Sequence, residues 1–170
     1  MKRGIKMPEN DKMKIEELEG LDTLEAIKAT SGKILSVDFG DVRTGLAVSD
    51  PSRLLASGIG YVSPGGIDKT ALVVANTAKE QGVSAIIVGV PVNMDGSEGA
   101  RASRCRKFAA FVKALSGLPT AVFDERMTTM TAARYLNETN TRGKKRKTVI
   151  DTLSAQIILQ NCLDRLKYMG

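Results

Sequence analysis

Residues 33–50, KILSVDFGDVRTGLAVSD, constrain the fold more than any other stretch of this chain. An apolar run of Ile34, Leu35 and Val37 stops at one carboxylate, Asp38, and Gly40 then permits a tight turn. A second apolar run, Leu46, Ala47 and Val48, follows past Gly45. Short apolar runs bounded by Gly and polar residues predict adjacent strands joined by a short connection. A carboxylate that closes a buried strand is costly unless it is paired, hydrogen-bonded or metal-bound. The plainer alternative is that Asp38 only accepts hydrogen bonds from the turn amides of Phe39 to Asp41.

The chain before this hairpin reads differently. Residues 1–31 are charge-rich, and a weak stripe of Leu18, Leu21, Leu24 and Ile27 is interrupted by Gly20. They are expected to be an amino-terminal appendage, partly disordered or loosely docked, with one domain over residues 32–170. After the hairpin, Leu55–Val62 predicts a third strand and Ser63-Pro64-Gly65-Gly66 a strong break. Ile67–Gln81 reads as a helix with Ile67, Ala71, Val74 and Ala78 on one stripe and Gly82 past its end. Ser84–Val90 is apolar on both faces, as an interior parallel strand should be. The loop Pro91–Gly99 carries Asn93 and the Asp95-Gly96 turn.

Ser97 is the expected cap of a helix over Glu98–Ser116, whose inward stripe of Cys105, Phe108, Ala109, Val112 and Leu115 runs back to Arg101. Pro119–Phe123 predicts a strand stopping at Asp124-Glu125-Arg126. A helix over Thr128–Glu138, a polar basic loop over Thr139–Lys147 and a closing helix over Val149–Met169 complete the reading. Three opening strands followed by alternating helices and strands predict an α/β domain with a mixed five-stranded sheet flanked by helices. Asp38, the Asn93 loop and the acids after the last strand all follow carboxyl ends of strands, the edge where open α/β sheets bind ligands.

Composition narrows the chemistry. The chain has no histidine, which excludes Ser-His-Asp triads, His general bases and His metal sites. Aromatics are 4% with no Trp, so stacking on exposed rings is not expected to be a main binding device. The net charge of +6 fits a polyanionic partner. Cys105 and Cys162 lack metal or redox spacing and are expected to be buried free thiols. No stretch has the length of a membrane span or the apolar core of a signal peptide, so a cytoplasmic location is expected.

The remaining informative residues are acids and cations. Asp151, about one turn into the closing helix, falls in line with Ala155, Ile158 and Cys162 on an apolar face. The densest cationic run precedes it: Arg142, Lys144, Lys145, Arg146 and Lys147. Strand alternation puts Asp124 and Glu125 on opposite sides, and the residues alone leave open which one faces Asp38. Three carboxylates from separate elements, without histidine, suit Mg²⁺ or Mn²⁺. Two such ions about 3.5–4 Å apart serve phosphodiester hydrolysis. Arg101, Arg126 and the basic run would then hold phosphates, with Asn93 lining the cleft.

Four segments in order carry a family resemblance: VDFGDVRTGLAVSD (37–50), IIVGVPVNMDGSEG (86–99), FDERMTTMTAARYL (123–136) and KKRKTVIDTLSAQIILQ (144–160). The chain from about Lys33 onward resembles the YqgF/RuvX family of Holliday-junction-resolvase-like proteins and candidate pre-16S rRNA nucleases. The resemblance implies a ribonuclease-H-like fold, a cytoplasmic bacterial setting, RNA as partner and maturation of the 5′ end of 16S rRNA. It carries the family acids to Asp38, Glu125 and Asp151. Within it, a Holliday-junction-type resolvase acting on branched DNA and a non-catalytic rRNA or ribosome-assembly binding protein are the alternatives. The D-x-G turn also opens sugar-kinase and actin-type ATPases, but those need a second phosphate-binding domain. A monomer or weak homodimer is expected.

Overall fold

The computed structural model describes residues 4–6, 20–125 and 143–169, the side chains of 143–151 excepted. Five strands, β1 (Ile34–Asp38), β2 (Thr44–Ser49), β3 (Ala56–Val62), β4 (Ala85–Val90) and β5 (Thr120–Asp124), form one sheet in the order β3-β2-β1-β4-β5. β2 runs antiparallel to both β1 and β3, and β1, β4 and β5 run parallel. The sheet is mixed, as the sequence predicts. Every residue of β4 is buried, which is what its two-faced apolar run requires.

Strand alternation sorts the apolar residues into two cores. Leu35, Val37, Ile86 and Val88 face α2 (Ile67–Gln81) and α3 (Ala100–Ser116). Ile34, Ala47, Ile87 and Ala121 face α1 (Leu24–Ala29) and α4 (Gly143–Tyr168). Helix α2 occupies the predicted residues, and Gly82 closes it in the left-handed conformation at φ 66°. Both cysteines are free and buried.

Two expectations are corrected. Ser97 does not cap α3: the helix starts two residues later, behind Gly99. The Ser97 amide and hydroxyl instead donate to Asp95 at 2.9 and 2.6 Å. The closing helix begins at Gly143 rather than Val149, so Lys144 to Lys147 belong to the first turns of α4 and not to a loop. The helix expected over Thr128–Glu138 lies outside the described residues.

Helix α4 is keyed to the sheet by polar contacts. The buried Ser36 hydroxyl donates to the Ala155 carbonyl at 2.6 Å. The Gln160 side chain accepts from the Ala56 amide at 3.0 Å, and the Gln156 side chain donates to the Ala56 carbonyl at 3.2 Å. Gly58 lets the helix approach, because a Cβ there would overlap the Thr152 methyl.

The amino-terminal segment is tied to the domain at several described places. The Asn76 amide brackets the backbone of Ile5 at 2.6 and 3.2 Å. Asp22 accepts from the Thr120 amide at 2.8 Å, while its own amide donates to the Thr120 carbonyl at 2.8 Å. Helix α1 buries Ile27 completely. The Arg53 guanidinium reaches across from the β2–β3 turn to cap α1, donating to the Ile27 carbonyl and the Thr30 hydroxyl at 3.1 and 2.7 Å.

Candidate active site

The parallel strands β1, β4 and β5 end on the same edge of the sheet, and two acids meet there. Asp38 is the last residue of β1, and Glu125 immediately follows β5. The two side chains share a hydrogen bond. Burial pushes the Glu125 carboxyl up to about 7, and the charge of Asp38 and that hydrogen bond push the same way. Arg101, at the start of α3, opposes the shift through its positive charge. The pair therefore holds on to one proton up to about pH 7, shared in the hydrogen bond between the two carboxyls.

Gly89 makes room for the pair. A Cβ there would overlap the Glu125 carboxylate and come within 2.6 Å of the Ile158 methyl. Gly40 makes the turn after Asp38 possible in the same way, since a Cβ would overlap the Arg43 carbonyl. Neither glycine is at a positive φ. Both are required by close approach rather than by backbone conformation.

The expected site residues separate into three groups. Asp38 and Glu125 are brought together, and Arg101 lies within their field while remaining exposed. It is Glu125, not Asp124, that meets Asp38; the neighbouring Asp124 charge only raises Glu125 a little further. Asn93 sits at this edge in the loop after β4, with its side-chain amide donating to the Ser97 hydroxyl at 3.1 Å. Its visible work is to hold that loop closed.

The third group is out of view. Arg126 and Arg142 lie outside the described residues, as do the side chains of Lys144, Lys145, Arg146, Lys147 and Asp151. Among the described residues no three acidic or sulfur side chains converge on one point. The position of Asp151 in the chain is still informative. It precedes Thr152, which packs on Gly58. Gly58 lies in the cross-strand row Ser36–Ala47–Gly58, two residues back from the row of Asp38.

Asp50, the last acid of the opening motif, does structural work. Its carboxylate accepts from the amides of Leu55 and Leu54, both at 2.8 Å, and from the Ser52 hydroxyl. The Leu55 amide, then the Ser52 hydroxyl, hold its pKa down to about 2. Sequence reasoning does not single out Arg43 and Tyr61, and Tyr61 lies in the cross-strand row of Asp38, beyond Gly45. The Arg43 guanidinium lies 5.5 Å from the Tyr61 ring centroid.

The donor set suits a hard divalent cation. Two carboxylates held in contact repel once both are ionised, so one keeps a proton in the cation's absence. A divalent ion held by Asp38 and Glu125 would take the place of that proton and neutralise both charges, and oxygen-only donors fit Mg²⁺ or Mn²⁺.

Comparison with known proteins places the chain in a family. The family model described as "RuvX: Holliday junction resolvase" matches residues 32–165. A Rhodopirellula baltica protein named "Putative pre-16S rRNA nuclease" is 38% identical over 140 residues, covering 82% of this chain and 81% of that protein. A Leuconostoc mesenteroides protein of the same name is 40% identical over 139 residues, covering 78% of this chain and 94% of that protein. Among solved structures, Fowlpox virus resolvase with substrate Holliday junction DNA superposes at a TM-score of 0.51 with 12% identity, covering 79% of this chain and 98% of that chain. That last likeness is one of fold.

Proposed function

The chain belongs to the RuvX family and has the ribonuclease-H-like fold, and from that premise we infer that it is a divalent-metal-dependent nuclease that trims the 5′ end of precursor 16S rRNA. The observation that carries the reading is the Asp38–Glu125 pair, two acids in contact at the ligand-binding edge of the sheet. The substrate follows from the names of relatives that this chain matches over most of its length. Among the described residues no helix is long and apolar enough to cross a membrane.

Asp38, Glu125 and Asp151 would hold Mg²⁺ or Mn²⁺, with two ions expected. Bound there, the cations supply charge neutralisation on the phosphate and a more acidic water for attack. The chain's own residues do the rest. Asp38 is fixed by its strand, and Glu125 by the room that Gly89 leaves, so the carboxylates are positioned before substrate arrives. Burial of Glu125 keeps the site in a low-dielectric setting that strengthens every charge interaction within it. Arg101 is placed to meet the phosphate that approaches the pair. The cations around Asp151 would hold the backbone further along, and Asn93 shapes the loop that borders the cleft.

The test is cleavage of precursor 16S rRNA with Mg²⁺, with Mn²⁺ and with EDTA, the product ends being mapped, beside a four-way DNA junction. Metal-dependent cleavage near the mature 5′ end supports the reading. Cleavage of the junction alone would make the protein a DNA resolvase, and binding without cleavage would make it an assembly factor.

A second expectation concerns Lys144, Lys145, Arg146 and Lys147. Lysine and arginine contacts to phosphate release condensed counterions, so each one steepens the fall of log affinity with log salt by roughly 0.7–0.9. Replacing all four by Ala should flatten that slope by about one contact's worth or more, equally across sequences. Stability should hardly change, because alanine is at least as good a helix former. RNA affinity over a salt series decides it: an unchanged slope removes this run from the interface.

A further inference from the structure

We propose that Tyr61, flanked by Arg43, is a stacking subsite for one unpaired base of the RNA strand whose backbone passes Asp38; the proposal rests on the nuclease reading above. Gly45 of β2 pairs with Asp38 on one side and Tyr61 on the other. Directly opposed residues share a face, so Asp38, Gly45 and Tyr61 form one row on the face that carries α4. Two strand spacings, about 10 Å, separate the acid from the ring. The residue between them is a glycine, so no side chain rises to divide the two.

A bulge aims the ring. Ala47 pairs with Gly58 and Leu46 with Gly60, which leaves Ile59 as an extra residue. Strict alternation from Gly58, which touches α4, would turn Tyr61 to the opposite face. The bulge reverses that parity and sets Tyr61 beside Asp38, as bulges next to active sites do. The ring is not core material either. It is 41% exposed, well above its strand neighbour Val62, and belongs to neither core cluster.

The chemistry of this pair suits a nucleotide. The Arg43 guanidinium against the ring steadies it and presents a positive charge at the same place. Unpaired RNA bases are held by stacking on aromatic rings with a cation nearby for the phosphate. A low aromatic content speaks against a continuous stacking platform, but it leaves room for one ring at one position.

A short single-stranded RNA carrying 2-aminopurine at successive positions provides the probe, with EDTA present so that nothing is cleaved. Binding to the full chain should quench the fluorophore at one position, for the parent protein and for Tyr61→Phe alike. Tyr61→Ala should lose that quenching and bind about 10-fold more weakly. Tyr61→Trp should bind at least as tightly as the parent. On cleaved substrate, Tyr61→Ala should raise KM more than it lowers kcat. Unchanged quenching and affinity in Tyr61→Ala would overturn the proposal, as would equal losses in Tyr61→Phe and Tyr61→Ala. Quenching without any cleavage by the parent would leave the subsite standing and remove the nuclease reading instead.

Discussion

Asp38→Asn should abolish cleavage while leaving the fold intact. Asparagine keeps the size and one acceptor oxygen of the side chain, so its hydrogen bond with Glu125 survives. What it removes is the negative charge of the Asp38 carboxylate. A hard cation depends on that charge, and electrostatic partners of a reacting phosphate are commonly worth about 10²–10³ in rate each. A fall of at least that size is expected, with an unchanged circular dichroism spectrum. Removing the charge also relieves the Glu125 carboxyl, whose pKa should drop toward its ordinary value. Undiminished cleavage by a correctly folded Asp38→Asn protein would sink the metal-nuclease account.

Glu125→Gln should cost activity and add stability. In the folded protein Glu125 keeps its proton to about pH 7, whereas in the unfolded chain it loses it near 4.5. The folded state therefore binds more protons across that window, and stability falls as pH rises through it. The expected slope is up to about 1.4 kcal/mol per pH unit, fully relieved below pH 4.5. Glutamine cannot ionise, so the variant should show a flat profile there and exceed the parent at pH 8. Activity should drop more than about 100-fold, beyond the usual cost of disturbing a partner of a metal ligand. Asp124→Asn should do far less, because the Asp124 charge is the last-ranked cause of the Glu125 shift. Denaturant unfolding at pH 5 and pH 8, in the absence of divalent ions, reads the stability arm. A parent protein no less stable at pH 8 than its Glu125→Gln variant would contradict the burial argument.

Much of this architecture is written in local patterns. The β1–β2 hairpin, the full length of α2 and the buried strand β4 follow from apolar runs bounded by glycine, and their residues suffice to place them. The edge that holds the site follows too, since parallel strands align their carboxyl ends. The choice between Asp124 and Glu125 does not, because Glu125 lies one residue beyond β5, where strand alternation no longer dictates direction.

Other features depend on partners far away in sequence. Helix α1 is six residues long, too short for periodicity to register, and is held by Ile27 in the core and by Arg53 from a distant turn. The start of α4 departs from the expectation because a run of charges reads as a loop in sequence. Lysine and arginine are good helix formers, and nothing after Gly143 breaks the helix. Tyr61 was hidden by the bulge at Ile59, which flips the face of every residue after it.

A divalent cation is expected to take the place of the proton between Asp38 and Glu125. Calorimetric titration of Mg²⁺ and Mn²⁺ into the protein, in buffers of different ionisation heat and across pH 6 to about 8.5, measures this directly. Affinity should rise with pH through about 7, with close to one proton released per site filled at the acid end and none at the alkaline end. Asp38→Asn should bind neither ion. Binding that ignores pH, releases no proton and survives Asp38→Asn would place the metal elsewhere and contradict the account.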